Sequence, residues 1–334
     1  MKKKIRLVFF LVGLVGLILL IYNLDPKNID WRKLFTGKLL LVLVCQFILW
    51  AMIYGVHFVV YREILGPEIC RKIGFIKLYQ LVVSGFALNS VTPLGLVGGE
   101  PYRIMELKPY CGSEKAASTT LTFTIFYVMG HIMLWGTGSI LYFIMGAPGS
   151  TFFSVLLLVV GAVCLVLTLN FLRSHSRGFL APIARFLERL PLVGRWVGAK
   201  LESKKDMIDE IDADITTFGA EKNRFGKAVA LEYLARLMEA LEYFLIFHFL
   251  GAKISYPGSL LVMSTASLIG NLFFIIPMQT GTREGGMVLA LDWLSVDAGF
   301  GLMAALLYRI RDLVCIGIGV LALALEKKND SNTV

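Results

Sequence analysis

Apolar residues in this chain run in long unbroken stretches, and the polar residues gather in the gaps between them. A helix needs about 20 apolar residues to cross a hydrocarbon core of about 30 Å. Six stretches reach that length, at about 5–22, 38–60, 118–146, 151–172, 228–250 and 299–325. Two more, at about 79–98 and 258–277, each run into a segment dense in Gly, Pro and charge. The first run follows Lys2, Lys3, Lys4 and Arg6, as a signal peptide would. It continues to Ile21, however, and meets Asn23-Leu24-Asp25-Pro26 with no small-x-small cleavage site. It is expected to remain as a first membrane helix.

Short loops rich in Lys and Arg stay on the cytoplasmic side. The basic stretches here are the N-terminus, 61–78, 173–227 and Lys327-Lys328. All four share one side only if 79–117 dips in and returns, and if 258–296 does the same from the opposite side. The expected fold is therefore an all-α polytopic membrane protein, with about six full transmembrane helices and two re-entrant helical hairpins in an inverted repeat. A single transmembrane domain covers 1–326, with a first half at about 1–146, a second at about 151–325 and a cytoplasmic tail at 327–334. Both termini are expected in the cytoplasm, and the membrane is expected to be the cytoplasmic one.

The two hairpins support the repeat. One carries Asn89, Pro93, Gly95, Gly98, Gly99, Glu100 and Arg103; the other carries Asn271, Pro277, Gly281, Arg283, Glu284 and Gly286. In each, an Asn precedes the Pro, and Pro and Glu are seven apart. Between the halves lies a cytoplasmic amphipathic insertion at about 173–227. Within it, Gly178 to Lys200 mixes Phe, Leu and Trp with Arg and Lys, as a helix in the headgroup plane would. The acidic stretch after it reads as a solvated helix, and Asp212-Ala-Asp214 as part of its wet face.

Composition sharpens this picture. Of 334 residues, 57% are hydrophobic and 17% charged, too apolar for a soluble domain of this size. A net charge of +9 would suit nucleic acid, but the basic residues sit in the breaks between apolar runs, so no nucleic acid partner is expected. Five cysteines, Cys45, Cys70, Cys111, Cys164 and Cys315, have no ligand-like spacing. No disulfide framework, metal site or cofactor follows, and no hydrolase, protease or nucleotide-binding motif stands out.

A charge at membrane depth costs at least about 2.5–3.5 kcal/mol, so each one marks a candidate site. The first group is Glu100, Arg103 and Glu106, after the broken segment at Pro93 to Gly99. The second is Arg283 and Glu284 after Pro277, with Asp292 beyond; Arg283 can grip an anionic headgroup with two parallel bonds. On 228–250, Glu232, Arg236, Glu239 and Glu242 step by four, three and three, which keeps them on one helix face. That face turns to a wet interior, unless the helix enters the bilayer only after Glu242. In the last span, Arg309, Arg311 and Asp312 lie mid-run. The two arginines are about 200° apart around the axis, so one is expected to reach a cavity and the other to pair or snorkel. His57 and His131 read as buried neutral histidines with a local hydrogen bond.

The segment Asn89 to Arg103 resembles the signature region of the flippase-like membrane domain of lysylphosphatidylglycerol synthases, the multiple peptide resistance factor family. Pro277 to Glu284 and the Arg of the final span look similar to that family's pattern, and the resemblance covers about 1 to 325. It implies a bacterial or archaeal membrane protein that translocates lipid. It makes Asn89, Pro93, Gly99, Glu100, Arg103, Pro277, Glu284 and Arg309 the matching polar and breaker residues. With the chain ending at Val334, the family's soluble transferase domain is expected to be absent and lysine transfer is not expected.

The expected function is a lipid flippase, moving a phospholipid or lipid-linked headgroup held by Arg103, Arg283 or Arg309, and not an enzyme. The expected partner is a membrane lipid: an anionic or aminoacylated phospholipid, or a lipid-linked sugar. Two alternatives stay open: a membrane transferase acting on a polyprenyl-phosphate sugar through Glu100, Glu284 or Asp212, and a small-solute or ion-coupled transporter. Self-association into a homo-oligomer is also left open.

Overall fold

The computed structural model describes residues 37–91, 99–146, 149–173, 205–273 and 279–331, with Arg32, Ala181, Pro182, Arg185 and Ile276. The expected first helix, most of Gly178–Lys200, and the breakers Pro93 and Pro277 lie outside them. The described elements are all helices. They are α1 Leu39–Leu65, α2 Pro67–Ile73, α3 Phe75–Val91, α4 Gly99–Cys111, α5 Ser113–Ile144, α6 Thr151–Arg173, α7 Lys205–Ala220, α8 Lys222–Leu250, α9 Tyr256–Leu272, α10 Thr282–Trp293 and α11 Gly299–Ser331.

Three of these, α1, α5 and α6, are long and apolar enough to cross a membrane. Helices α2 and α3 qualify only as a pair, and they meet at a 93° bend. The bend is made at Gly74, whose φ of +79° an L side chain rarely adopts. Helices α8 and α11, at 29 and 33 residues, also exceed the length needed, but both carry charge in mid-run. The molecule is inside out relative to a soluble protein. The most apolar window, on α6, has a mean hydropathy of 2.9 and is only 11% buried. Leu41, Ile48, Val155, Leu158, Leu313 and Leu321 are exposed on α1, α6 and α11, while Arg103, Arg236, Glu232 and Glu242 are buried. An apolar surface of that extent needs lipid as its solvent, so the protein is a multi-pass membrane protein.

Small residues set the closest approaches. Helices α3 and α4 fold back on each other, and a Cβ on Gly99 would stand 2.1 Å from the Gly85 carbonyl oxygen. Helices α9 and α10 do the same, with a Cβ on Gly286 falling 2.7 Å from the Ala266 Cα. In both cases the obstacle is backbone, which cannot rotate away. Gly99→Ala and Gly286→Ala should each destabilise the fold by about 1–3 kcal/mol, read as an earlier thermal transition in detergent, whereas Gly226→Ala, in open space, should not. Each hairpin then packs on the long helix of the other half. The Ser84 hydroxyl of α3 donates to the Gly319 carbonyl of α11 at 3.2 Å, and the Ser264 hydroxyl of α9 donates to the Leu134 carbonyl of α5 at 3.2 Å.

Helix α7 differs from the expected solvated helix. Ile211, Ile215 and Phe218, spaced to share a face, are buried against α5 and α8. Asp214 accepts from the Lys115 ammonium at 2.9 Å and Asp212 from the Ala181 amide at 2.8 Å, so the acidic pair fastens the insertion to its neighbours.

Candidate functional site

A cavity of about 230 Å³ opens where the two hairpins converge on α1, α5, α8 and α11. Asn89 and Ser90 reach it from the end of α3, and Asn271, Ile276 and Gln279 from the turn of the other hairpin. Gln279 has φ +52°, and its side chain lies where a Cβ on Gly270 would sit, 2.5 Å from the amide oxygen. Aromatic residues Trp50, Tyr54, Phe86, Tyr127 and Tyr308 form much of the remaining wall. Four arginines line the space: Arg236, Arg283, Arg309 and Arg311.

Each arginine has a different setting. Arg311 makes two bonds to Glu242, at 3.0 and 2.9 Å, and a third to Asp312 at 2.8 Å. Gln46 of α1 donates to the same Glu242 at 3.0 Å. Arg309 donates twice to one oxygen of Glu284, at 2.9 and 2.7 Å, while the other Glu284 oxygen accepts from the Gly281 amide at 2.8 Å. That carboxylate therefore ties α11 to the start of α10. Arg236 is buried under the Tyr127 ring and bonds Glu239 at 2.6 Å.

Two histidines complete the Arg236 cluster. Its guanidinium faces His57 Nε2 at 3.0 Å and His131 Nε2 at 3.2 Å. A guanidinium only donates, so both Nε2 atoms accept and each neutral ring carries its proton on Nδ1. His57 then donates from Nδ1 to Glu232 at 3.1 Å, and His131 to the Ser267 hydroxyl at 3.3 Å. One cation thus fixes residues from α1, α5, α8 and α9.

Arg283 stands apart. Its guanidinium lies 4.7 Å from the Tyr308 ring centre, but it makes no hydrogen bond and has no carboxylate within 4 Å among the described residues. The charges around the cavity also fail to balance. Four guanidiniums, Arg236, Arg283, Arg309 and Arg311, face five carboxylates, Glu232, Glu239, Glu242, Glu284 and Asp312. Among the described residues, the cation with no carboxylate within 4 Å is Arg283. The carboxylate without a close guanidinium is Glu232, which is 4.0 Å from Arg236 and has one oxygen without a hydrogen bond.

Of the residues singled out from sequence, Asn89, Arg236, Glu239, Arg283, Arg309 and Asp312 line the cavity, and Glu284 stands directly behind Arg309. The remaining described ones serve the first hairpin. Asn89 accepts from the Gly99 amide at 2.7 Å and donates to Glu100 at 3.2 Å, which locks the two arms. Arg103 does not line the cavity. It lies between Phe86 and Phe123 over Gly85, reaches the Leu81 and Val82 carbonyls at 3.4 Å, and sits 3.6 Å from Glu100. Arg309 and Arg311 were expected to face apart, yet both line the cavity. Their long side chains curl toward it from either flank, one drawn by Glu284 of α10 and the other by Glu242 of α8. Sequence reasoning missed His57, His131, Gln46 and Tyr308 as members of the site. The signal for the two histidines was their position inside spans, where any titratable group is costly.

An all-helical membrane protein with a ring of arginines around an internal cavity is the class that this fold and site define. The chain belongs to the family of the lysylphosphatidylglycerol synthase TM region, whose profile matches residues 5–319. It is also 24% identical over 316 residues to a protein of Methanothermobacter thermautotrophicus named UPF0104 membrane protein, covering 91% of this chain and 90% of that one. No solved structure matches the chain. The family membership bears out the resemblance carried by the hairpin residues.

Proposed function

We propose that the protein is a lipid translocase in which Arg283 receives the phosphate of a membrane lipid headgroup. The observation that carries this reading is a buried guanidinium at a cavity with no carboxylate within ion-pair distance among the described residues. A phosphate supplies the missing charge and accepts two parallel N–H bonds. The size of the cavity agrees. At about 230 Å³ it falls below the ~300–1,000 Å³ of sites that enclose drug-sized ligands, which suits a headgroup whose acyl chains stay in the bilayer. The phosphate is common to an anionic phospholipid, an aminoacylated phospholipid and a lipid-linked sugar.

In this reading the two halves form an inverted repeat, with α1, α3, α4 and α5 equivalent to α8, α9, α10 and α11. The packing supports the equivalence. Exchanging the two sets turns the pairs α3–α11, α3–α4, α4–α5, α1–α3, α1–α5 and α5–α8 into the pairs α5–α9, α9–α10, α10–α11, α8–α9, α8–α11 and α1–α11, all of which are in contact. The contact between α1 and α8 maps onto itself. With the basic loops inside, both termini and α7 lie in the cytoplasm of a cell membrane, and the hairpins enter from opposite faces. Asn89 and Ser90 of one hairpin and Asn271 and Gln279 of the other then share the cavity, which opens alternately as the halves rock.

Native mass spectrometry of the gently purified protein, with Arg283→Gln alongside, tests the headgroup reading. A phosphate-bearing lipid retained by wild type and lost in the variant is expected. The same retained lipids in both proteins would contradict it.

A further inference from the structure

We infer that the His57–Glu232 pair is a proton-binding site that works in concert with the anion site, so that a proton and a phosphate are taken up together. This rests on the headgroup reading above. Three observations lead to it. Among the described residues the cavity cluster holds one carboxylate more than it has guanidiniums, and burying an uncompensated charge is costly. The carboxylate without a close guanidinium is Glu232, whose hydrogen-bond partner is the Nδ1–H of His57 at 3.1 Å. The opposite edge of His57 is capped by the Arg236 guanidinium, 3.0 Å from Nε2.

That cap makes the site a switch. A proton can be added to His57 only at Nε2, the lone pair that Arg236 occupies. Once it is added, two donors and two cations confront each other at about 3 Å, and Arg236 must leave. The imidazolium stays against Glu232. Arg236, already at the cavity wall and bonded to Glu239, swings inward and gives the phosphate a second guanidinium beside Arg283. One proton from the aqueous phase forms an N–H bond at Nε2, no heavy-atom bond changes, and the added charge offsets the arriving anion. The charged and titratable groups facing His57 are Glu232 and Arg236 of α8 and Tyr127 of α5, with Tyr54 on its own helix and only Phe86 from α3; His131 stands behind Arg236.

Coupling between two ligands is reciprocal, so the anion must bind more tightly where the proton is available. The test is calorimetric titration of the nanodisc-embedded protein with glycerophosphoglycerol, a soluble phosphodiester headgroup whose single charge is constant near neutral pH, in buffers of different ionisation enthalpy. Wild type should take up about one proton per anion, and its affinity should fall as pH rises, by up to about tenfold per pH unit. His57→Gln keeps an acceptor for Arg236 but cannot be protonated. It should bind the anion with no proton uptake and with affinity independent of pH. Glu232→Gln, which leaves the ring titratable but unsupported, should shift the dependence to lower pH. Wild-type binding without proton uptake, or full uptake by His57→Gln, would overturn the coupling and leave the headgroup reading standing. Failure of wild type to bind glycerophosphoglycerol at any pH would overturn both.

Discussion

Glu242→Leu should lower the stability of the detergent-solubilised protein by about 3–5 kcal/mol, the usual cost of stranding a buried partner. Glu242 is fully buried, and it neutralises Arg311 through two bonds while accepting from Gln46. Asp312 remains on one nitrogen of Arg311, but it is more exposed and cannot replace a bidentate carboxylate. The double variant Glu242→Leu with Arg311→Met should recover most of the loss, since removing both charges also removes the desolvation they impose. Melting temperatures of the two single variants and the double variant form the cycle that checks this. A double variant as unstable as the worse single one would mean that the pair does more than neutralise itself.

Arg283→Gln should have the opposite profile. The guanidinium has no carboxylate partner, so its removal relieves a buried charge and leaves stability unchanged or slightly raised. Anion binding should fall by about 2–5 kcal/mol, at least thirtyfold, because the headgroup phosphate loses its only unneutralised partner. Calorimetry with glycerophosphoglycerol measures the affinity and a thermal melt the stability. A destabilised variant with intact binding would move Arg283 from the site to the scaffold. Opposite stability effects at Glu242 and Arg283 thus separate charges that hold the bundle from a charge that awaits a ligand.

Much of the scaffold was legible from sequence because a membrane encodes length. Apolar runs of spanning size gave α1, α5, α6, α8 and α11 to within several residues, and the Gly/Pro/charge segments gave both hairpins. The inward stripe on α8 was legible from the spacing of Glu232, Arg236, Glu239 and Glu242, since charge on a long apolar helix has to face away from lipid. Partnerships across the sequence were not. His57, His131 and Arg236 meet over separations of 105 and 179 residues, and no local pattern announces that one guanidinium will cap two imidazoles. Arg103 stood beside a broken helix and suggested a ligand, but the bare Cα of Gly85 leaves room for it to fold back into its own hairpin. The expectation that Arg309 and Arg311 face apart used the helix axis alone and neglected the reach of an arginine. Helix α7 was weighed by its acids, and its Ile211, Ile215, Phe218 face decided otherwise.

The central claim is that Arg283 serves a headgroup that crosses the bilayer, and transbilayer exchange tests it most directly. Proteoliposomes of phosphatidylcholine doped with a headgroup-intact, tail-labelled phosphatidylglycerol would be treated with a membrane-impermeant quencher, comparing wild type, Arg283→Gln and empty vesicles. The account predicts that wild type exposes label from the inner leaflet while Arg283→Gln protects it as empty vesicles do. Equal exposure by wild type and Arg283→Gln, both above the empty vesicles, would contradict it.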